Sequence, residues 1–532
     1  MWYALAIGGA SGPGSLALQH YPPGMALPEV VLDGSALSIA SVTAAARHGA
    51  KVRFDQIARS RVDAARSAVL AQVALGKPIY GINTGFGNFA QVRVDDHKLA
   101  DLQRNIVRSH AAGVGEPLPS EVVRGAMLLT AASLARGISG VRSAVIDSIV
   151  AHLNAGIVPI VPEVGSVGAS GDLAPLSHIA LALIGEGSVT VDGRTMPTAQ
   201  AQAAAGIAPL ALEMKEGLSL LNGTHVMAAT AALALDDTRR LAGAAIAATA
   251  MAIDGCRASD SGLDARIHHA RCQPGQELVA QRLRALLKGS QVLPSHKEGD
   301  PRVQDPYGLR CAPQVLGAAL DAVAWAEGVV TRELGAVTDN PLVFTLGGTA
   351  IVSGGNFHGM PLAIALDTLK IALCHVAGIS ERRTYWALSG HDRESRVRPH
   401  LAVDAGFDSG LMIAQYTAAA CVNELGVLAH PASPGNVPTS AGIEDYNSMG
   451  ATSARHARRS VELATNVVAI ELQTMAEALD CQRPLRSGDG VERAHAIVRG
   501  EVARLTGDRS PAPDIAAIAG LIRGGAFDRL LD

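Results

Sequence analysis

Aromatic residues are scarce in this chain of 532 residues, where Phe, Tyr and Trp together make up 3%. That scarcity argues against a face of rings that stack on nucleic-acid bases. Neither sign of charge dominates, with 45 Lys and Arg against 49 Asp and Glu, and the basic residues are scattered. No electrostatic footprint for nucleic acid or an anionic lipid surface results. The six cysteines, Cys256, Cys272, Cys311, Cys374, Cys421 and Cys481, stand singly without a Cys-x-x-Cys pair. This disfavours a disulfide framework and a zinc ribbon, and makes a reducing cytoplasm the natural setting. His268, His269 and His375 lack partners at His-x-x-x-His spacing, so no metal site is expected. Long hydrophobic runs are missing too. The longest, residues 241–253, lies between Arg240 and Asp254, too short to span a bilayer and fit for a buried helix. Dinucleotide, P-loop and nucleophile-elbow fingerprints are absent. The first residues carry no basic stretch and meet Gly and Pro early, so residues 1–27 read as an extension rather than a signal peptide.

Alanine is abundant and the mean hydropathy slightly positive. Both point to a large, mainly helical protein with much buried surface. Residues 28–75 predict a strand at Glu29–Leu32 and helices at Ser38–Arg47 and Phe54–Leu75, and 80–90 a glycine-rich loop. Helical pattern runs from Lys98 to Ala155 with a break at 137–142, and Asp192-Gly193 reads as the turn of a hairpin over Ser188–Met196. Beyond 210 the segments 211–255, 313–335, 361–386, 409–428 and 446–480 are long, apolar and nearly free of Pro, as in a bundle. The expected organisation is an extension (1–27), a mixed N-terminal domain (28–210), a central helical bundle (211–482) and a helical tail (483–532).

The segment 165–178, GSVGASGDLAPLSH, carries the chemistry. Gly168 to Gly171 are small enough for the backbone to fold back tightly. Asp172 is a good N-cap and Pro175 is tolerated in a first turn, so a helix is expected from here to about Ile184. Ala169, Ser170 and Gly171 then sit at the positive pole of that helix.

This string resembles the Ala-Ser-Gly signature of the histidine and phenylalanine ammonia-lyase family. Similar blocks recur in order at 80–90, 104–119, 215–224, 264–276, 300–314, 338–342, 353–359 and 438–450. The resemblance implies a mainly α-helical fold of ammonia-lyase type, with a long central bundle and a smaller mixed part holding the loop. It also implies a homotetramer with sites shared between chains, and an electrophilic cofactor, 4-methylidene-imidazole-5-one (MIO), made from Ala169, Ser170 and Gly171 by cyclisation and loss of two waters. Such a group suits the reaction, because the β-hydrogen of an amino acid is barely acidic and ammonia leaves poorly.

By the same resemblance Tyr80 is the base, which calls for a phenol of lowered pKa, and Tyr307 lies near the cofactor and the amine. Arg310 clamps the substrate carboxylate, where a guanidinium offers a planar bidentate match. Gln304, Asn222, Asn340 and Phe357 match active-site positions, Asn222 orienting cofactor or carboxylate. Ser109-His110 follows the histidine pattern rather than the His-Leu or Phe-Leu of tyrosine and phenylalanine enzymes. Glu444 stands where those enzymes carry an amide, and a carboxylate suits an imidazole and not a phenyl ring. L-Histidine, giving trans-urocanate, is therefore the expected substrate. Gly442-Ile443, Ala312 and Met360 depart from the histidine pattern, which keeps a tyrosine or phenylalanine lyase or a 2,3-aminomutase open.

Overall fold

The computed structural model describes residues 27–530 except 77, 86 and 88–90, so the extension, apart from Leu27, lies outside the described residues. A short parallel pair opens the chain: β1 (Val30–Leu32) and β2 (Val52–Phe54), in register Val30 to Val52, flank α1 (Ile39–Arg47). Ser38 caps α1 by accepting from the Ser41 amide, and Asp55 caps α2 (Gln56–Val73). β2 lies just before the helix expected from Phe54, sharing only that residue with it, and went unread because three residues are too few to show a period.

The stretch expected to be helical from Lys98 to Ala155 contains α3 (Leu99–His110), β3 (Val114–Pro117), α4 (Ser120–Leu134) and α5 (Ser143–Asn154). Next come β4 (Val158–Pro159), β5 (Pro162–Val164), which pairs antiparallel with β3, and α6 (Leu173–Leu183). The expected hairpin is β6 (Ser188–Val191) and β7 (Arg194–Pro197), turning through Asp192 and Gly193 at φ 47° and 75°. Two left-handed residues are what a tight turn of this hand requires. α7 (Thr198–Ala205) and α8 (Glu216–Leu221) lead into the long helices.

α9 (His225–Gly255) is buried along its length except at Asp237, Arg239 and Arg240. Its alanines let neighbouring helices approach closely. After α10 (Ala265–Arg271), α11 (Pro274–Leu286) and α12 (Tyr307–Arg310) come α13 (Ala312–Glu333), the hairpin β8 (Leu342–Phe344) and β9 (Ala350–Val352), α14 (Met360–Ser389), α15 (Met412–Leu428) and α16 (Gly450–Cys481). α17 (Asp489–Glu501) and α18 (Ala512–Arg523) close the chain. α9, α13, α14 and α16 pack together as the central bundle, with α4 and α1 against α9. α14 is the one helix among the described residues long and apolar enough to cross a membrane, and two-thirds of its most apolar window is buried in the bundle.

Ion pairs link the helices in and around this bundle. Arg383 on α14 and Glu471 on α16 are fully buried and bidentate, with Nη2 2.8 Å from Oε2. Arg47 on α1 reaches Glu121 on α4 and both Asp236 and Asp237 on α9, at 2.7 to 3.1 Å. Such pairs add little net stability over apolar packing, but losing one partner strands a buried charge.

Candidate active site

The loop from Gly165 to Gly171 leaves β5 and is held from two sides. On one side Gly223 N–H donates to the Ser170 carbonyl (3.3 Å), and Asp172 N–H donates to the Gly223 carbonyl (2.7 Å). On the other, Met449 N–H donates to the Val167 carbonyl (2.9 Å) and Ser448 Oγ to the Gly168 carbonyl (3.1 Å). Ser166 Oγ closes the loop on itself through the Gly171 carbonyl (3.0 Å). Gly168 and Gly171 have φ of 71° and 76°. A Cβ on Gly171 would stand 2.1 Å from the Gly223 oxygen, and one on Gly168 2.0 Å from Ser448 Oγ. Both positions therefore demand glycine for conformation and for space.

Two helix N-termini meet at this loop, that of α6 at Leu173 and that of α9 at His225. Asp172 occupies the N-cap position of α6, as expected, but its side chain does not cap that helix. Its Oδ2 accepts from the Val226 (2.9 Å) and Met227 (2.8 Å) amides and so caps α9. The N-cap rule names the helix that follows in sequence, and here a second helix start lies closer to the carboxylate. Burial lifts the Asp172 carboxyl to about 7, against the two amides that favour its charged form. The paired helix poles make the loop a favourable place for negative charge to develop.

A cavity of about 790 Å³ opens over Ser170 and is lined by Tyr80, His110, Asn222 and Glu444, together with Asn105, Leu102, Leu173, Leu218 and Ser440. Glu444 Oε1 lies 3.5 Å from Ser170 Oγ, and its Oε2 accepts from Thr439 Oγ1 at 2.9 Å. His110 ends α3. Ser109 Oγ donates to the Ile106 carbonyl (3.2 Å) and accepts from His110 Nδ1 (3.1 Å), an assignment that leaves Nε2 as an acceptor. Burial lowers the His110 pKa, so the ring is held neutral, while the Ile106 carbonyl and the Glu444 charge act the other way. Asn222 Nδ2 donates to the Asn340 carbonyl (2.9 Å). Tyr80 departs from expectation: burial raises its pKa, Glu444 adds to the rise, and only a backbone hydrogen bond at Gly87 opposes it.

The remaining residues named from sequence lie elsewhere. Asn340 is buried behind Asn222, with Oδ1 accepting from the Gly354 amide (2.8 Å). Phe357 is half-buried and lines neither this cavity nor the next. Gln304 and Arg310 line a second cavity of about 1100 Å³. Arg310 stacks over the Tyr307 ring at 4.6 Å and donates to the Asp305 carbonyl (2.9 Å), and Tyr307 is 69% exposed. The fold thus brings Tyr80, His110, Ala169–Gly171, Asn222 and Glu444 together and leaves Gln304, Tyr307 and Arg310 apart from them.

Sequence reasoning passed over the support behind this cavity. Lys215, fully buried, donates to Asp339 Oδ2 and Ser219 Oγ, both at 2.8 Å, and Asp339 Oδ1 accepts from the Asn340 amide (2.6 Å). A lysine directly before the apolar run of α8 was the available signal, because such a charge must be paired. Among the described residues no group of three or more His, Cys, Asp and Glu forms a metal cluster.

The family described as aromatic amino acid lyase matches residues 37–500. The chain belongs to the aromatic amino acid lyases. The lyase is 48% identical over 507 residues to a histidine ammonia-lyase of Anaeromyxobacter, covering 94% of this chain and 99% of that one. Among solved structures it is similar to histidine ammonia-lyase from Trypanosoma cruzi, with a TM-score of 0.87, 39% identity and 95% of each chain covered. It is similar also to tyrosine aminomutase from Streptomyces globisporus, with a TM-score of 0.88, 36% identity and coverage of 94% and 98%. The lyase has the ammonia-lyase fold expected from its sequence and belongs among the carbon–nitrogen lyases.

Proposed function

We propose that the lyase eliminates ammonia from L-histidine to give trans-urocanate. The observation that carries this reading is the pairing of His110 and Glu444 in the cavity over Ser170. An imidazole ring offers an N–H donor, which matches either acceptor facing the cavity, Glu444 Oε1 or His110 Nε2, whereas a phenyl ring leaves both unpaired. The histidine ammonia-lyase name of relatives nearly half identical over 94% of the chain supports it. Of the departures from the histidine pattern, Ile443, Ala312 and Met360 are not among the residues lining this cavity, which weakens the case for a tyrosine or phenylalanine substrate.

The loop fits MIO. Gly171 has no room for a side chain beside Gly223, and Ser170 presents its hydroxyl to the cavity. Once formed, the group supplies the electrophile that turns ammonia into a better leaving group. The Gly223 amide holds the loop, with Asn222 beside it anchored to the Asn340 carbonyl, and the two helix poles favour negative charge at the loop.

An amino-acid substrate also carries a carboxylate, and no Arg or Lys is among the described residues lining this cavity. Arg310, stacked and half-exposed at another cavity, is suited to supply that cation to a second copy, with Tyr307 beside it. This suits the homotetramer with sites shared between chains that the family resemblance implies, in which closure by a second copy would supply the field that makes Tyr80 a base. The six unpaired cysteines fit a reducing cytoplasm.

A panel of histidine, tyrosine and phenylalanine with ultraviolet detection tests the proposal, since urocanate, coumarate and cinnamate differ in spectrum. Urocanate is expected. Preferential formation of coumarate or cinnamate, or of a β-amino acid, overturns the histidine reading in favour of an aromatic lyase or aminomutase.

A further inference from the structure

Glu444 is carried by a loop whose base is pinched shut. Asn436 Nδ2 donates to the Asn447 carbonyl (2.6 Å), and Asn447 N–H returns to Asn436 Oδ1 (2.9 Å). Inside that clamp the backbones of Thr439 and Glu444 bond to each other, Thr439 N–H to Glu444 O at 2.8 Å and Glu444 N–H to Thr439 O at 3.3 Å. Ser440, Ala441 and Gly442 turn the chain between them, all left-handed, with φ of 50°, 53° and 86°. Two residues with Cβ atoms adopt that region only where their surroundings force it. The force here is the closure that brings Glu444 back beside Thr439.

The Thr439 hydroxyl is directional. It accepts from the fully buried Asn447 Nδ2 (3.3 Å), so its single hydrogen turns to Glu444, whose Oε2 at 2.9 Å is a closer acceptor than its backbone carbonyl at 3.4 Å. With Oε2 held in this way, Oε1 is the oxygen left facing Ser170 and the cavity. A carboxylate with one oxygen tied cannot swing freely, and the free oxygen meets an incoming N–H without first being ordered.

We propose that Thr439 is a positioning residue for substrate selection: its hydroxyl, oriented by Asn447, locks the Glu444 carboxylate so that Oε1 receives the ring N–H of the substrate. The proposal rests on the reading of Glu444 as the group that binds the imidazole. Thr439→Val keeps the shape of the side chain and removes both the donor and the acceptor. Asn447 Nδ2 stays satisfied by the Val437 carbonyl at 2.7 Å, so the clamp at the base of the loop survives.

The test compares Thr439→Val, Thr439→Ser and Glu444→Gln as full-length purified enzymes, each checked by intact mass for the loss of two waters. A contact made in ground and transition state alike is read in KM. Thr439→Val is expected to raise KM for histidine about ten-fold with kcat changed less than about three-fold, the scale of one hydrogen bond to a charged group. Thr439→Ser restores KM, and Thr439→Val has no further effect when added to Glu444→Gln. If Thr439→Val does not fold, Thr439→Ala replaces it with the same expectation. An unchanged KM in Thr439→Val beside a raised KM in Glu444→Gln overturns the role of Thr439 alone. An undiminished Thr439→Val effect on top of Glu444→Gln does the same. An unchanged KM in Glu444→Gln removes the reading of Glu444, and the role of Thr439 with it.

Discussion

The cavity over Ser170 and the cavity beside Arg310 differ in what their side chains lack. Over Ser170 the polar groups are tied down, Glu444 by Thr439, His110 by Ser109 and Asn222 by the Asn340 carbonyl, and no described lining residue is Arg or Lys. Beside Arg310 the lining holds Arg284, Lys288, Arg302 and Arg310, and Tyr307 next to it stands exposed. The first holds the glycine-rich loop and no cation among its described lining residues, while the second holds cations and no loop of this kind. A chain so divided has use for a second copy.

The largest expected effect belongs wholly to the first cavity. Ser170→Ala removes the hydroxyl whose loss would form the proposed electrophile, while an alanine in the loop changes little else. Turnover should fall by at least about three orders of magnitude, the scale for removing a chemically essential side chain, with melting temperature nearly unchanged and no loss of two waters in the intact mass. Near wild-type turnover would rule out the MIO chemistry.

The division between the cavities is tested by mixing. Tyr80→Phe spoils the first cavity and Arg310→Lys the second, the latter costing roughly 2–4 kcal/mol in transition-state binding because the bidentate carboxylate contact is lost. If sites form between chains, co-expression of the two variants leaves about one site in four with both native residues, and activity reappears in that proportion. Mixed assemblies no more active than the better parent place the whole site in one chain. A stable, active monomer in light scattering would do the same.

How much of this was legible in the sequence follows from where the information lies. The glycine-rich loop at 165–171 was readable because its Ala-Ser-Gly string resembles a family signature, and the long helices because their apolar segments are long and nearly free of Pro. The hairpin at Asp192-Gly193 was readable from its turn, since those two residues together favour a tight one. The strands β2 to β5 were not, being two to four residues long and made by pairing rather than by pattern. Asp172 was assigned to the helix that follows it, because the start of α9, some fifty residues on, cannot be seen from a local rule. The raised pKa of Tyr80 arises from burial beside Glu444, which no spacing in the sequence encodes.

Within the first cavity, His110→Leu should cost histidine about 1–3 kcal/mol in kcat/KM, the penalty for leaving one buried polar group of the substrate unpaired. The same change should leave a phenylalanine analogue no worse off. Equal losses for both rings would show that His110 packs rather than reads the substrate.

The smallest effect concerns the wall behind the loop. His225 opens α9 and is buried against Gly223, where a Cβ would stand 2.4 Å from its ring, and neither ring nitrogen has a hydrogen-bond partner among the described residues. Desolvation lowers its pKa from 6.5 to about 4, with the Asp339 charge acting in the opposite direction. The native state therefore holds His225 neutral, while the unfolded chain takes up a proton near pH 6.5. The unfolded state binds more protons between those values, so stability is fully present above pH 6.5 and is lost as the pH falls toward 4. From pH 7 to pH 6 the loss attributable to this one group is about 0.7 kcal/mol, and it depends little on how far below 6 the native value lies. Other groups titrate in the same range, Asp172 among them with the opposite sign, so the quantity to measure is a difference. His225→Met keeps an apolar filler behind Gly223 and cannot be protonated. Urea unfolding at pH 7 and pH 6 should show the wild-type losing about 0.7 kcal/mol more than His225→Met over that step. Equal losses in the two proteins would mean that His225 is hydrated or paired in solution and that the wall behind Gly223 is wetter than its packing implies.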